Sequence, residues 1–276
     1  MDATRALLRF APGLLLGLLW SPHGLASAVD AVSLQAEQTA ALPKLKPAAD
    51  ATIEAAGTSP VNWGPIEARL SDVYKPMARV AEIPNDDTLQ GSLMCLKSFE
   101  AISEVYRVIE GDRAGEKIPQ GSSNTKMKDL IAASPDGRRL HAQAFVEQIR
   151  CSTRMLLKDA GTWPLEGGTD YDINRMVGMQ AQPFRAFTML AMGGMMDPRT
   201  PAAERTALAA QAIPAVRDLA PALAPEMRES FIKVAQQGLN EAKLDDPSAM
   251  QSVIDAFKTD ACAISCQRSK GRIGNP

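Results

Sequence analysis

The chain reads as all-α: an irregular multi-helix bundle of about eight helices, stabilised by disulfides, with a division into two packed halves left open. Three observations lead there. Ala and Met are plentiful and aromatic residues are only 5% of the 276, and Ala, Leu, Met, Glu, Gln, Lys and Arg are the strongest helix formers. Val, Ile, Thr and Tyr form no alternating runs, so the period-two signal of a strand is missing. Apolar residues recur instead at three- and four-residue steps.

The first element is an address. Arg5 and Arg9 precede an apolar run from Phe10 to Trp20, broken by Pro12 and Gly13. Pro22, Gly24 and the small residues Ala26-Ser27-Ala28 follow. This is the layout of a secretory signal peptide, residues 1–28, cut near Ala28. The run is shorter than the roughly 20 apolar residues a bilayer span needs. The expected product is periplasmic or secreted. Its formal charge, −2 for the whole chain, stays near neutral after loss of Asp2, Arg5 and Arg9. That argues against nucleic-acid or anionic-membrane surfaces, which need clustered Lys and Arg. The most apolar later stretch, Phe184 to Met196, is short and holds Arg185.

Residues 29–62 read as a flexible leader, with a weak helical stretch from Val32 to Leu42 ahead of Pro43 and Pro47. The first helical half spans 63–160. Ile66, Leu70, Val73, Tyr74, Met77 and Val80 make one helix face, which Pro76 is expected to kink or split. Asn85, Asp86 and Asp87 offer N-caps to a helix with the stripe Leu89, Leu93, Leu96, Phe99, Ile102, Tyr106 and Ile109. A polar loop (112–124) and a short helix (125–133) lead to the turn Ser134-Pro-Asp-Gly137. The next helix, 138–160, is apolar around much of its circumference and is expected to be central. Residues 161–169 form the connecting loop, and the second half spans 170–266. There, prolines at 183, 214 and 221 are expected to interrupt helices. Apolar stripes run through Met227, Phe231, Val234, Ala235, Leu239 and Ala242, and then from Met250 to Ile264. Residues 267–276 read as a disordered tail.

Four cysteines in an exported chain predict disulfides, with three connectivities open. Cys95 and Cys151 lie at similar distances from Gly111 and Gly137, the two ends of one connection. On antiparallel helices their sulfurs meet at the same height. A Cys95–Cys151 bridge closes a long loop and contributes about 3–4 kcal/mol on a chain-entropy account. Cys262 and Cys266 remain, one turn apart, and a local bridge there suits a frayed helix end. Redox pairs are usually spaced Cys-x-x-Cys, one residue closer.

Candidate chemistry is sparse. Of two histidines, His23 falls in the signal segment and His141 remains. Sites built on two or three His are therefore excluded. No Gly-x-Ser-x-Gly elbow occurs. Ser123-Asn-Thr-Lys126 matches the Ser-x-x-Lys spacing of penicillin-recognising hydrolases, but neither Ser-Asp-Asn nor Lys-Thr-Gly follows, and the segment reads as a helix N-cap. Asp170-Tyr-Asp172-Ile-Asn174 begins like a calcium loop, yet Arg175 replaces the required Gly and Ala181 the closing Glu. Six of the thirteen Met (Met176, Met179, Met189, Met192, Met195, Met196) cluster in one stretch. Thioethers bind Cu(I); Met at helical spacing also fills cores and adaptable grooves.

Gly178-Met179-Gln180, with Pro183 after it, resembles the substrate-groove motif of lytic transglycosylases. The resemblance covers a handful of residues and implies a helical exported enzyme acting with one Glu. The expected Glu-Ser pair is absent, since Glu166 precedes Gly167. The leading reading is a non-catalytic binding or inhibitor protein, such as an immunity-type neutraliser of an exported toxin, with another exported protein or an envelope component as partner. A single-Glu cell-wall hydrolase and a Met-based copper-binding protein are the alternatives. No catalytic residue, metal site or cofactor is assigned. The candidate binding surface is Trp163, Met176, Met179, Met189 and Met192. N-terminal sequencing of the exported product is expected to start at Val29; an intact N-terminus would overturn the cleavage site.

Overall fold

In the computed structural model, residues 30–56, 62–84, 88–109 and 135–273 are described. The signal segment, the caps at Asn85–Asp87, the loop and short helix of 110–134 (with Ser123 and Lys126) and the last three residues lie outside them. Every regular element among the described residues is helical. The α-helices are α1 Ala31–Ala41, α2 Leu45–Ala56, α3 Gly64–Ala78, α4 Thr88–Ile109, α5 Pro135–Asp159, α6 Asp170–Leu190, α7 Ala202–Leu219, α8 Pro225–Ala242, α9 Ser248–Phe257 and α10 Ile264–Ser269.

The long helix α5 is the shared wall of two cores, as its circumferential apolarity predicts. Leu140, Ala144, Cys151 and Met155 face a core built with α1 to α4. Ala142, Phe145, Val146, Ile149 and Leu156 face a second core built with α6 to α9 and the tail. α5 starts at Pro135, so the expected Ser-Pro-Asp-Gly turn is largely its first turn. Proline suits that position because its missing N–H would have no partner there.

α4 and α5 run antiparallel, and the register can be read from three levels. Cys95 and Cys151 form the expected disulfide, with Cα atoms 5.4 Å apart. One turn away Gly91 lies against Met155; a Cβ on Gly91 would come within 2.7 Å of that side chain. One turn further, Thr88 meets Arg175, which is bonded to Asp159.

The leader expectation is corrected over residues 30–56; 29 and 57–61 lie outside the described residues. Ala31, Leu34, Gln38, Ala41, Leu45, Ala49 and Thr52 are buried at helical spacing, and α1 and α2 pack on α3 and α4. Small Ala side chains let the helices approach closely, so a weak hydrophobic pattern still buries a face. The disordered tail is corrected too. α10 continues to Ser269 and Ile273 is buried. Arg268 donates to the Trp163 carbonyl and Arg272 to that of Pro164 (2.7 Å).

Prolines matter less than expected. α6 passes through Pro183 and α7 through Pro214. An interior proline costs about 3 kcal/mol, but the α7 face of Leu208, Ala212, Ala215, Val216 and Leu219 is buried on both sides of it, which offsets the loss. Gly193-Gly194 does mark a break: Ala191–Met195 is a π-helical turn. On α4, Leu89 and Leu93 are exposed, Leu89 by 69%, and the smaller Gly91, Met94, Cys95 and Ala101 face inward. The stripe expected to run on to Ile264 stops at Phe257.

Asp159 is a buried carboxylate that Arg175 and the Trp163 indole satisfy. Removing one partner of such a pair leaves an uncompensated charge, costing about 3–5 kcal/mol. Arg175→Met is therefore expected to lower stability in urea unfolding by about that amount, and Asp159→Asn combined with it to recover part of the loss. A single variant as stable as the wild type would remove Asp159 from this role.

Candidate functional site

Among the described residues, a concavity with polar groups lies where the α9 stripe breaks. Residues 258–263 leave the helix in an extended path between α9 and α10. Three of their carbonyls are taken by side chains. Arg228 Nη1 donates to the carbonyl oxygens of Thr259 and Ala261, both at 3.0 Å. Gln267 donates to that of Cys262 (2.8 Å). The Ala263 N–H donates to Pro221 (2.7 Å), and Ser265 donates to Ala222 (2.6 Å). A chain whose carbonyls are satisfied from outside has no need to continue as helix.

This connection is a ridge between two clefts. One, of about 560 Å³, has Pro225, Ile232 and Phe257 as apolar walls, with Arg228, Glu229, Lys258, Asp260, Cys262 and Lys270 around them. The other, about 470 Å³, shares Lys258 and Thr259 and adds Arg217, Ser252 and Asp255. Phe257 is held by ring contacts at 5.1 Å to Phe187 and 4.5 Å to Phe231, so the floor is rigid.

Arg228 is the distinctive group. It is 7% exposed. Burial lowers its pKa from the ordinary arginine value, and Asp260, Glu229 and Glu226 act in the opposite direction. It stays charged at neutral pH, yet none of these carboxylates forms an ion pair with it among the described residues. Its Nε and Nη2 have no hydrogen-bond partner there and are not fully sealed from solvent. The other deeply buried arginines are paired: Arg138 with Glu204, and Arg205 with Asp245.

No family model matches the chain, and neither do the curated proteins or the solved structures.

The candidate binding residues do not converge on this cleft. Trp163 is 3% exposed, and its indole donates to Asp159 at 3.0 Å. It is a core residue, because an indole with a buried carboxylate partner has no need of solvent. Met176 is fully buried in the second core. Met179 is half-buried and lies near Ser92 Oγ (3.4 Å). Met189 is 56% exposed, and the side chain of Met192 is not described. Gln180 is a buried strut, donating to Ser269 (2.6 Å) and accepting from the Ala224 N–H (2.8 Å). Glu166 is exposed and lines neither cleft. Thr169 and Asp172 form a capping box at the start of α6. No group of three or more His, Cys, Asp or Glu able to hold a metal occurs among the described residues.

Sequence reasoning missed Arg228. Its signal was present: a charged residue on the stripe of Met227, Phe231, Ala235 and Leu239, where a non-polar residue would suffice.

His141 packs edge-on against Phe145, with ring centroids 4.7 Å apart, and burial lowers its pKa to about 4. Its unfolded value is about 6.5. Between these values the unfolded chain binds the extra proton, so stability is intact above about pH 6.5 and falls as pH drops toward 4. Thermal melts across that window are expected to show the loss, and His141→Gln to flatten it; an equal slope in the variant would reject the assignment.

Proposed function

We propose that this is an exported, non-catalytic binding protein that holds an anionic group of another exported protein in the Arg228 cleft. One observation carries the reading: a nearly buried guanidinium with two open donors and no ion pair, at the edge of a cleft with apolar walls. Burying a charge without a counter-charge is costly, and carbonyl dipoles compensate it in part. A carboxylate from a partner completes it, and a charge-assisted hydrogen bond contributes about 1.5–3 kcal/mol. Pro225, Ile232 and Phe257 supply the apolar contact that such sites use around a few polar anchors.

Export rests on the N-terminal layout and on the two disulfides, which persist in oxidising compartments. No described helix is long and apolar enough to cross a membrane. Inhibition of an exported toxin fits this reading, because an acidic side chain seated on Arg228 would be masked without any chemistry. No observation favours the hydrolase: Gln180 is committed to the interior and Glu166 stands apart from both clefts. The Met residues divide between core and surface, which gives the copper reading no convergent site.

The test is capture from an exported-protein fraction with the mature protein as bait. A partner retained by the wild type is expected to bind at least tenfold more weakly to Arg228→Gln, with folding checked by circular dichroism. Because Arg228 also ties down the backbone, the rim variant Lys258→Ala/Lys270→Ala serves as a second probe and is expected to weaken binding several-fold and reduce its salt dependence. A partner held equally by all three proteins would rule the cleft out as the recognition site.

A further inference from the structure

The two disulfides are in different physical situations. Cys95 and Cys151 are both fully buried and are separated by 56 positions. Cys262 and Cys266 are separated by 4. Cys266 is fully buried, while Cys262 is half-buried and lines the cleft that holds Arg228. One cysteine of the second pair thus lines the cleft and the other is shielded from solvent.

The second disulfide is also redundant for holding its loop. The bonds from Arg228 to Thr259 and Ala261, from Ala263 to Pro221, from Ser265 to Ala222 and from Gln267 to Cys262 fix the same backbone without it. A bridge closing so few residues removes little loop entropy from the unfolded chain. Its spacing is one residue longer than Cys-x-x-Cys. Cys262 lies before α10 and Cys266 in its first turn, and the extended backbone at Ala263 absorbs the extra residue.

We propose that Cys262–Cys266 is a thiol–disulfide exchange site whose substrate is a thiol carried beside a carboxylate. The incoming thiolate attacks Cys262 Sγ. That bond forms as the Cys262–Cys266 bond breaks, and Cys266 leaves as a thiolate and takes a proton. A second substrate thiolate then attacks the substrate sulfur of the mixed disulfide and releases Cys262, which is protonated in turn. Two substrate thiols are oxidised to one disulfide, and the protein's disulfide is reduced to two thiols. The positive groups of Arg228, Lys258 and Lys270 favour thiolates in the cleft and attract the carboxylate; Lys258 shares its charge with Asp255 (2.8 Å). The inference stands on the position of Cys262 and does not require a resident protein partner.

The probe is glutathione, a thiol with two carboxylates. The folded mature protein is equilibrated with graded mixtures of its reduced and oxidised forms, quenched with acid and mapped by mass spectrometry. Cys262–Cys266 is expected to open while Cys95–Cys151 stays closed, with the glutathione adduct on Cys262 alone. Exchange is expected to slow at least threefold in Lys258→Ala/Lys270→Ala with glutathione and by a clearly smaller factor with 2-mercaptoethanol, which lacks the carboxylates. Cys262→Ser/Cys266→Ser is expected to keep the wild-type melting temperature within a few degrees. Equal resistance of both disulfides, an adduct on Cys266, or unfolding of the double-serine variant would each overturn the proposal. None of these measurements involves a captured partner, so they can fail while the binding reading survives.

Discussion

A carboxylate with no exposed surface sits at the end of the longest helix, and its satisfaction orders much of the second half. Asp159 needs donors, because a bare buried charge is prohibitive. Arg175 from α6 and the indole of Trp163 supply them. Those two contacts fix where α6 starts relative to α5 and draw the 161–169 connection inward. The loop carbonyls at Trp163 and Pro164 then receive Arg268 and Arg272 from the tail. Cys266 lies in α10 just before these arginines, and Lys270 lies between them. A polar contact at the far end of α5 therefore helps position the wall of the cleft. Arg175 also reaches Thr88, so α4 is tied to the junction as well.

Among the described residues, buried arginines follow one rule with one exception. Arg138 and Arg205 each meet a carboxylate. Arg228 meets carbonyl oxygens instead. Carbonyl dipoles satisfy hydrogen-bonding geometry but supply no net counter-charge, so the electrostatic demand stays open toward solvent. Glu229 and Asp260 stand on the same rim without closing it. An external anion that reached Nε and Nη2 would gain a desolvated partner that these two, in their present positions, do not engage.

How much of this was legible in the sequence depends on the size of the signal. The helices with Leu, Ile and Phe stripes were readable because large apolar residues at 3.6-residue spacing leave no alternative face. The Cys95–Cys151 bridge was readable because antiparallel helices joined by one connection place equidistant residues side by side. α1 and α2 were not, since burying Ala produces almost no contrast with exposing it. Leu89 and Leu93 misled for the opposite reason: large residues on α4 were assumed to face inward, while the close approach to α5 demanded Gly91 and Cys95. Trp163 sits among Gly and Pro residues that read as loop; only the tertiary partner Asp159 makes it core. Prolines at 183 and 214 were weighted by local geometry, and packing on both sides overrode it. Arg228 left a trace as an anomaly on an apolar stripe, but the trace does not say whether such a residue is paired, and only the fold answers that.

The cleft exists because a helix fails to continue. A backbone that stays helical satisfies its own carbonyls and presents a convex surface. Here the carbonyls of Thr259, Ala261 and Cys262 are satisfied by side chains from α8 and α10, and the chain bends away to leave a concavity floored by Phe257. Arg228 holds this path through Nη1 alone. Its other nitrogens are geometrically independent of that duty. An anion can engage them without releasing Thr259 or Ala261, so binding need not loosen the backbone that presents Cys262. One side chain thus shapes the cleft, charges it and keeps its accessible sulfur in place. A substitution that preserves charge but loses the planar fork, such as lysine, would separate the first task from the second, because an ammonium cannot span two carbonyls and still present a flat pair of donors.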